Sequence, residues 1–209
     1  TGNFDPLTFK GRKRASVVVG EGDGLREFLT VIKDSVEENS TKAVLIGHSL
    51  GGSVLFHGIK KDILVDDRLS SGLTYVLLNP AVSSKEYSEL GTLPFSNKKR
   101  KPLLITIQSN KDKVVNWAFR LAEWASPFGF NPSYITHDMW ACAPQDASCL
   151  NDLQQELNEH GACAQEYNRS TWFIHARPDN GIRAPNCEKA GCRIDWVIDV
   201  RRTVSASHN

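Results

Sequence analysis

The chain has 209 residues, 40% of them hydrophobic and 23% charged, with 25 basic side chains against 24 acidic. This balance excludes a disordered polyelectrolyte, a collagen-like or low-complexity chain, and a global pull toward nucleic acid or anionic lipid. No run approaches the roughly 20 consecutive apolar residues that a transmembrane helix needs, and the length suits a single domain over residues 1–209 with a real core.

The chain opens at Thr1 without a basic and then apolar leader, and stops at Asn209 shortly after an apolar run. It reads as a segment of a longer or processed chain. Residues 1–20 begin with turn-rich Gly2-Asn3 and Asp5-Pro6, then a basic patch of Lys10, Arg12, Lys13 and Arg14, then Val17-Val18-Val19-Gly20. Leu25, Phe28, Leu29, Ile32 and Val36 follow at alternating three- and four-residue intervals, the spacing of an amphipathic helix, with Asp23 as its N-cap. Ala43-Val44-Leu45-Ile46 is a short continuous apolar run, as expected of a strand buried on both faces. It ends at Gly47 and passes into a helical stretch carrying Val54, Leu55 and Ile59.

The alternation continues. Residues 73–78 (Leu-Thr-Tyr-Val-Leu-Leu) predict a buried strand closed by Asn79-Pro80, and residues 103–107 another, followed by a polar turn and a helix from about Val114 to Trp124. A polar, cysteine-bearing insertion at about 142–192 comes next, with a helical piece near 150–160, and Trp196-Val197-Ile198-Asp199-Val200 makes the last strand. Strands alternating with helices predict an α/β fold, a mostly parallel sheet with flanking helices.

All five cysteines (Cys142, Cys149, Cys163, Cys187 and Cys192) fall inside that insertion. Their spacing lacks the paired C-x-x-C of a zinc ribbon, so no metal is implied. Local disulfides are the favoured reading, which points to an extracellular or periplasmic setting. Free buried cysteines are the alternative, and the odd fifth thiol favours it. Two glycosylation sequons, at Asn39 and Asn168, are too common by chance to weigh.

The motif that carries chemistry is Gly47-His48-Ser49-Leu50-Gly51-Gly52, at the point where a buried strand turns sharply into a helix. Small residues at Gly47 and Gly51 let strand and helix close around a strained turn that lifts the Ser49 hydroxyl above the sheet edge. The helix start offers the Leu50 N–H to a developing oxyanion. A serine nucleophile needs a histidine base and a carboxylate to orient it, and on this architecture they follow in the order serine, acid, histidine. Asp112, after the strand at 103–107, and His208, after the last strand, stand where that order requires. Asp112 otherwise caps the helix from Val114, and His208 is otherwise a tail residue. His137 is the rival base and His175 a weaker one. His48 is expected to pack beneath the turn, and His57 and His160 to be surface or packing residues.

With these residues in place the chain resembles the α/β-hydrolase superfamily, of the lipase and esterase type, and within it a group of poorly characterised bacterial serine hydrolase-like proteins. The similar segments are Leu7-Thr8-Phe9 with Arg12-Lys13, the elbow itself, Val76-Leu77-Leu78-Asn79-Pro80-Ala81, Tyr134-Ile135-Thr136-His137, and Ser207-His208-Asn209. The resemblance implies hydrolysis of a small-molecule or lipid ester through an acyl-enzyme, with Ser49 as nucleophile, Asp112 as acid and His208 as base, and with no cofactor. It also implies sheet strands ahead of the nucleophile strand, and a second oxyanion donor among them. Only about 40 residues precede the elbow here, mostly basic loop and one helix. Those N-terminal strands are therefore missing from the pattern.

Two other readings stand beside the esterase. One is a non-catalytic α/β-hydrolase-like binding module that keeps the elbow as a folding feature. The other is an acyltransferase using the same triad. The basic run Lys98-Lys99-Arg100-Lys101 lacks interleaved aromatics and reads as a solvated loop rather than a nucleic-acid site. The aromatics from Trp117 to Trp140 fit helix packing, or the lining of an acyl pocket.

Overall fold

The computed structural model describes residues 6–65, 72–88, 90, 103–108, 137–141, 147–151, 155, 164–168, 172–176 and 195–202. Asp112, His160 and His208, with the helix expected from Val114, lie outside them.

Two helices open the described chain, α1 (Pro6–Glu21) and α2 (Asp23–Glu38). The basic segment expected as loop is thus helical. Its periodicity was hidden because the buried face of α1 is small and polar: Lys13, Ser16 and Gly20 point inward while Val18 and Val19 are exposed. A Cβ on Gly20 would sit 2.6 Å from the Val54 carbonyl oxygen, so this helix packs tightly against the one that follows the elbow. In α2, Leu29 and Val36 are buried and Leu25 and Ile32 pack beside them, whereas Phe28 is exposed. The N-cap is Gly22, with no side-chain cap. Asp23 instead lies one residue inside the helix, where a carboxylate suits the positive end of the dipole, and pairs with Arg26. Helix α2 closes with Ser40 in the left-handed region, its N–H donating to the Glu37 carbonyl and the Thr41 N–H to that of Val36.

That turn feeds β1 (Ala43–His48), which leads into α3 (Leu50–Val65), β2 (Leu73–Leu78), the short α4 (Ser84–Ser88) and β3 (Leu104–Gln108). The remaining strands are β4 (His137–Ala141), β5 (Ala164–Asn168), β6 (Trp172–Ala176) and β7 (Asp195–Arg202). The described part is α/β: helices stand against a parallel sheet of β1, β2 and β3, and the strand order extends to β1-β2-β3-β7-β4-β6-β5. Strands β3, β7 and β4 continue the parallel run, while β6 pairs antiparallel with both β4 and β5. The cysteine-bearing stretch therefore contributes two strands to the sheet and is not purely loop. Within it Cys149 is buried and disulfide-bonded.

The main apolar cluster lies on one face of β1, β2 and β3, and Ile198 of β7 is buried on the opposite face. Leu73, Tyr75, Leu77 and Leu104 point into the cluster and meet Leu29, Val36, Leu55, Phe56 and Ile59 from the helices. Tyr87 of α4 stacks on Phe56 at 5.6 Å between ring centroids. The other face of β1 is open: Val44 is 60% and Ile46 64% exposed. Burial on both faces, expected from the apolar run, does not hold. Strand β1 ends the described sheet, and the described helices lie on its Leu45 side. An apolar run records hydrophobicity and not the number of layers above it.

This one-sided burial has a measurable consequence. Leu77→Ala, at a fully buried position, is expected to cost about 2–5 kcal/mol in urea unfolding. Ile46→Lys is expected to stay within about 0.5 kcal/mol of wild type. Equal losses at the two positions would mean that both faces of β1 are covered.

Candidate active site

The parallel register sets the ends of several strands level with one another. His48 pairs with Leu78, Leu78 with Ile107, and Ile107 with Ile198, so β1, β2 and β3 end at about one row of the sheet, and β7 crosses that row and runs on to Arg202. Ser49 is the first residue past that row and Leu50 the first of α3. The chain must reverse from strand to helix within a single residue, and Ser49 does so with φ 53°. For a residue with a Cβ this left-handed backbone costs about 1–3 kcal/mol and persists only where the surroundings impose it.

The surroundings are on view. The Ser49 N–H donates to the Leu78 carbonyl at 3.0 Å, and the Ser49 carbonyl accepts from the Ser53 N–H at 3.1 Å and the Ala81 N–H at 2.9 Å. A Cβ on Gly47 would lie 2.7 Å from the Gly51 carbonyl oxygen and 2.8 Å from the Gly52 Cα, contacts with backbone that cannot yield. A Cβ on Gly52 would lie 2.9 Å from the Pro80 Cβ. A Cβ on Gly51 would meet nothing within 4 Å. The close approach expected of Gly47 and Gly51 is thus made by Gly47 and Gly52, and Gly51 contributes its backbone only.

Leu50 opens α3, so its N–H belongs to the first-turn donors that no intrahelical carbonyl takes up. Together with the positive end of the helix dipole this gives one electrophilic position beside the Ser49 hydroxyl. Ser49 and Leu50 are both half-buried. His48 is exposed and does not pack beneath the turn.

Below the elbow lies a polar cluster that the sequence pattern did not point to. Glu86 accepts from the Lys13 ammonium at 2.7 Å and from the Ser83 N–H at 2.6 Å. Its other oxygen lies 3.3 Å from Nε2 of His57, whose Nδ1 is 3.9 Å from a Glu21 oxygen; neither ring nitrogen is in line for a hydrogen bond. Burial pushes the Glu86 carboxyl up, but His57, the Lys13 ammonium and the hydroxyl and N–H of Ser83 outweigh it and hold the group well below the usual carboxylate range. The hydroxyls of Ser16 and Ser53 share a hydrogen bond of 2.9 Å between α1 and α3. One signal was legible: Ser83 with Glu86 three residues on is a capping box, and here the Glu86 N–H does bond the Ser83 hydroxyl.

The rival base is not brought to the serine. His137 opens β4 and pairs with Ile198, which places it on the row of His48 but four strands away. At about 4.8 Å per strand that is roughly 19 Å, too far for a direct hydrogen bond. His175 lies in β6, one strand further on. His57 is buried in α3 against Glu86, a packing residue as expected. Comparison of the chain with protein-family models, with curated proteins and with solved structures finds no match.

The two elbow glycines are predicted to respond in opposite ways. Gly47→Ala is expected to lose about 1–3 kcal/mol in chemical unfolding, because the added methyl strikes backbone. Gly51→Ala is expected to gain about 0.5–1 kcal/mol, as usual for a helix position with room for a side chain. A tolerated alanine at Gly47 would contradict the close approach of β1 and α3.

Proposed function

We propose that this chain carries the nucleophile of a serine hydrolase that acts on carboxylic esters through an acyl-enzyme, built on an α/β-hydrolase-type core. The single observation that carries the proposal is the backbone of Ser49, held at φ 53° between a parallel strand and a helix start. That geometry suits a nucleophile because it lifts the hydroxyl clear of the sheet, next to the Leu50 N–H.

In the proposed reaction the Ser49 Oγ attacks the ester carbonyl carbon while its proton passes to His208, and Asp112 holds the resulting imidazolium. The negative charge moves to the carbonyl oxygen, facing the Leu50 N–H. Collapse expels the alcohol, which takes the proton back from His208 and leaves Ser49 acylated. Water then attacks the acyl carbon with His208 again as base, releasing the acid and restoring the serine.

Chain reach supports these partners. Strand β3 stands two strands from β1 and β7 three, so roughly 10 and 14 Å across the sheet, and β7 ends four residues past the row of His48, which brings its gap to roughly 19 Å. Asp112 follows the end of β3 by four residues and His208 the end of β7 by six. At about 3.3–3.6 Å per residue those segments are long enough to arrive beside Ser49. The disulfide at Cys149 supports an oxidising setting, extracellular or periplasmic.

The test is labelling with a fluorophosphonate, with the modified peptide located by mass spectrometry. Wild type is expected to label at Ser49, Ser49→Ala not at all, and Asp112→Asn and His208→Ala at a rate lower by about 10³-fold or more. A folded chain that does not label would leave the non-catalytic binding module as the better reading. Labelling followed by acyl transfer to an added alcohol in preference to water would favour the acyltransferase.

A further inference from the structure

The left-handed backbone of Ser49 is imposed from one side. Of the three backbone hydrogen bonds that hold it, two come from Leu78 and Ala81, at the end of β2 and just beyond. The loop after β2 is unusual in being buried: Pro80, Ala81, Val82 and Ser83 are all buried. Loops normally lie on the surface because their backbone groups need water, so a buried one must have its polar groups met internally. Here Asn79 takes a left-handed conformation, φ 39°, and its N–H donates to the Ile107 carbonyl at 2.8 Å. The Val82 N–H donates to the Pro80 carbonyl. The Ser83 N–H has Glu86, whose carboxylate also takes the buried Lys13 ammonium from α1.

We propose that Glu86 is a positioning residue for Ser49: its carboxylate anchors residues 79–83 to the helix layer, and that loop holds the serine carbonyl through Ala81 and packs Pro80 beneath Gly52. Glu86 touches no reacting atom. It acts by removing the freedom of the loop that keeps the nucleophile turn from relaxing to a right-handed backbone. A carboxylate suits this role because one oxygen meets both the Ser83 N–H and Lys13, tying the loop to α1 at a single point. This inference rests on the serine-hydrolase reading for its catalytic consequence, and on the hydrogen bonds alone for its structural one.

The experiment compares the full chain as wild type, Glu86→Ala, Glu86→Gln and, as an exposed carboxylate on α2, Glu27→Gln. Two quantities are read at a temperature where each is folded: the fluorophosphonate labelling rate at Ser49, and amide hydrogen exchange at Ser49, Ala81, Tyr75 and Leu77. Glu86→Ala is expected to label about 10- to 100-fold more slowly, the scale of effect of a small misplacement at the reacting centre. Exchange at Ala81 and Ser49 is expected to accelerate about tenfold or more while Tyr75 and Leu77 in β2 keep their protection, which separates local release from general loss of stability. Glu86→Gln, which keeps an acceptor for the Ser83 N–H, is expected between the two, and Glu27→Gln at wild type. If Glu86→Ala does not fold, Glu86→Gln carries the comparison. Wild-type exchange at Ala81 in a folded Glu86 variant overturns the inference, even where wild type labels at Ser49. Local release at Ala81 in a chain that never labels supports the anchor and removes the hydrolase reading.

Discussion

A parallel strand that passes directly into a helix must reverse its direction at one residue, and here that residue is a serine rather than a glycine. Most of what surrounds Ser49 serves that reversal. Gly47 has no side chain because the backbone at Gly51 and Gly52 occupies the space, and Gly52 has none because Pro80 does. The polar groups of the Ser49 backbone are shared between α3 and the far end of β2. Ser40 has the same left-handed backbone at an ordinary helix stop; Ser49 differs in the steric and hydrogen-bonded support packed around it.

The helix layer beneath the elbow contains buried polar contacts beside its apolar ones. Lys13, Ser16, Ser53 and His57 are buried between α1 and α3, and Glu86 joins them from α4. A buried ion pair is a weak source of net stability because both partners lose water. The apolar core includes Leu77, Leu104, Phe56 and Ile59, and Glu86 links Lys13 of α1 to the Ser83 N–H of the loop after β2.

The legible parts of this fold are those whose pattern is apolar. Residues 73–78 formed the expected strand residue for residue, and α2 showed itself in the spacing of Leu25, Leu29, Ile32 and Val36. Helix α1 escaped because Lys13, Ser16 and Gly20 make its inward face, and a polar or small buried stripe leaves no periodic hydrophobic signal. The strands at 164–168 and 172–176 escaped because the cysteines and polar residues around them read as loop. At the site, the elbow was visible from its glycines and flanking apolar run, although the steric role assigned to Gly51 falls to Gly52. The contributions of Pro80 and Ala81 were out of reach, since they depend on long-range register between β1 and β2, and of Glu86 only its local capping box with Ser83 was legible, not its contacts with Lys13 and His57.

The most direct test of the account is the stability of Ser49→Gly against that of Ser49→Ala, each measured by urea unfolding. Both variants remove the hydroxyl, so they differ only in what the backbone tolerates. At a left-handed position glycine is expected to be more stable than alanine by about 1 kcal/mol, because the Cβ clash is gone. At a right-handed helical position the order reverses by a similar amount. Alanine emerging as the more stable of the two would contradict a strained turn at Ser49, and with it the basis for a nucleophile there.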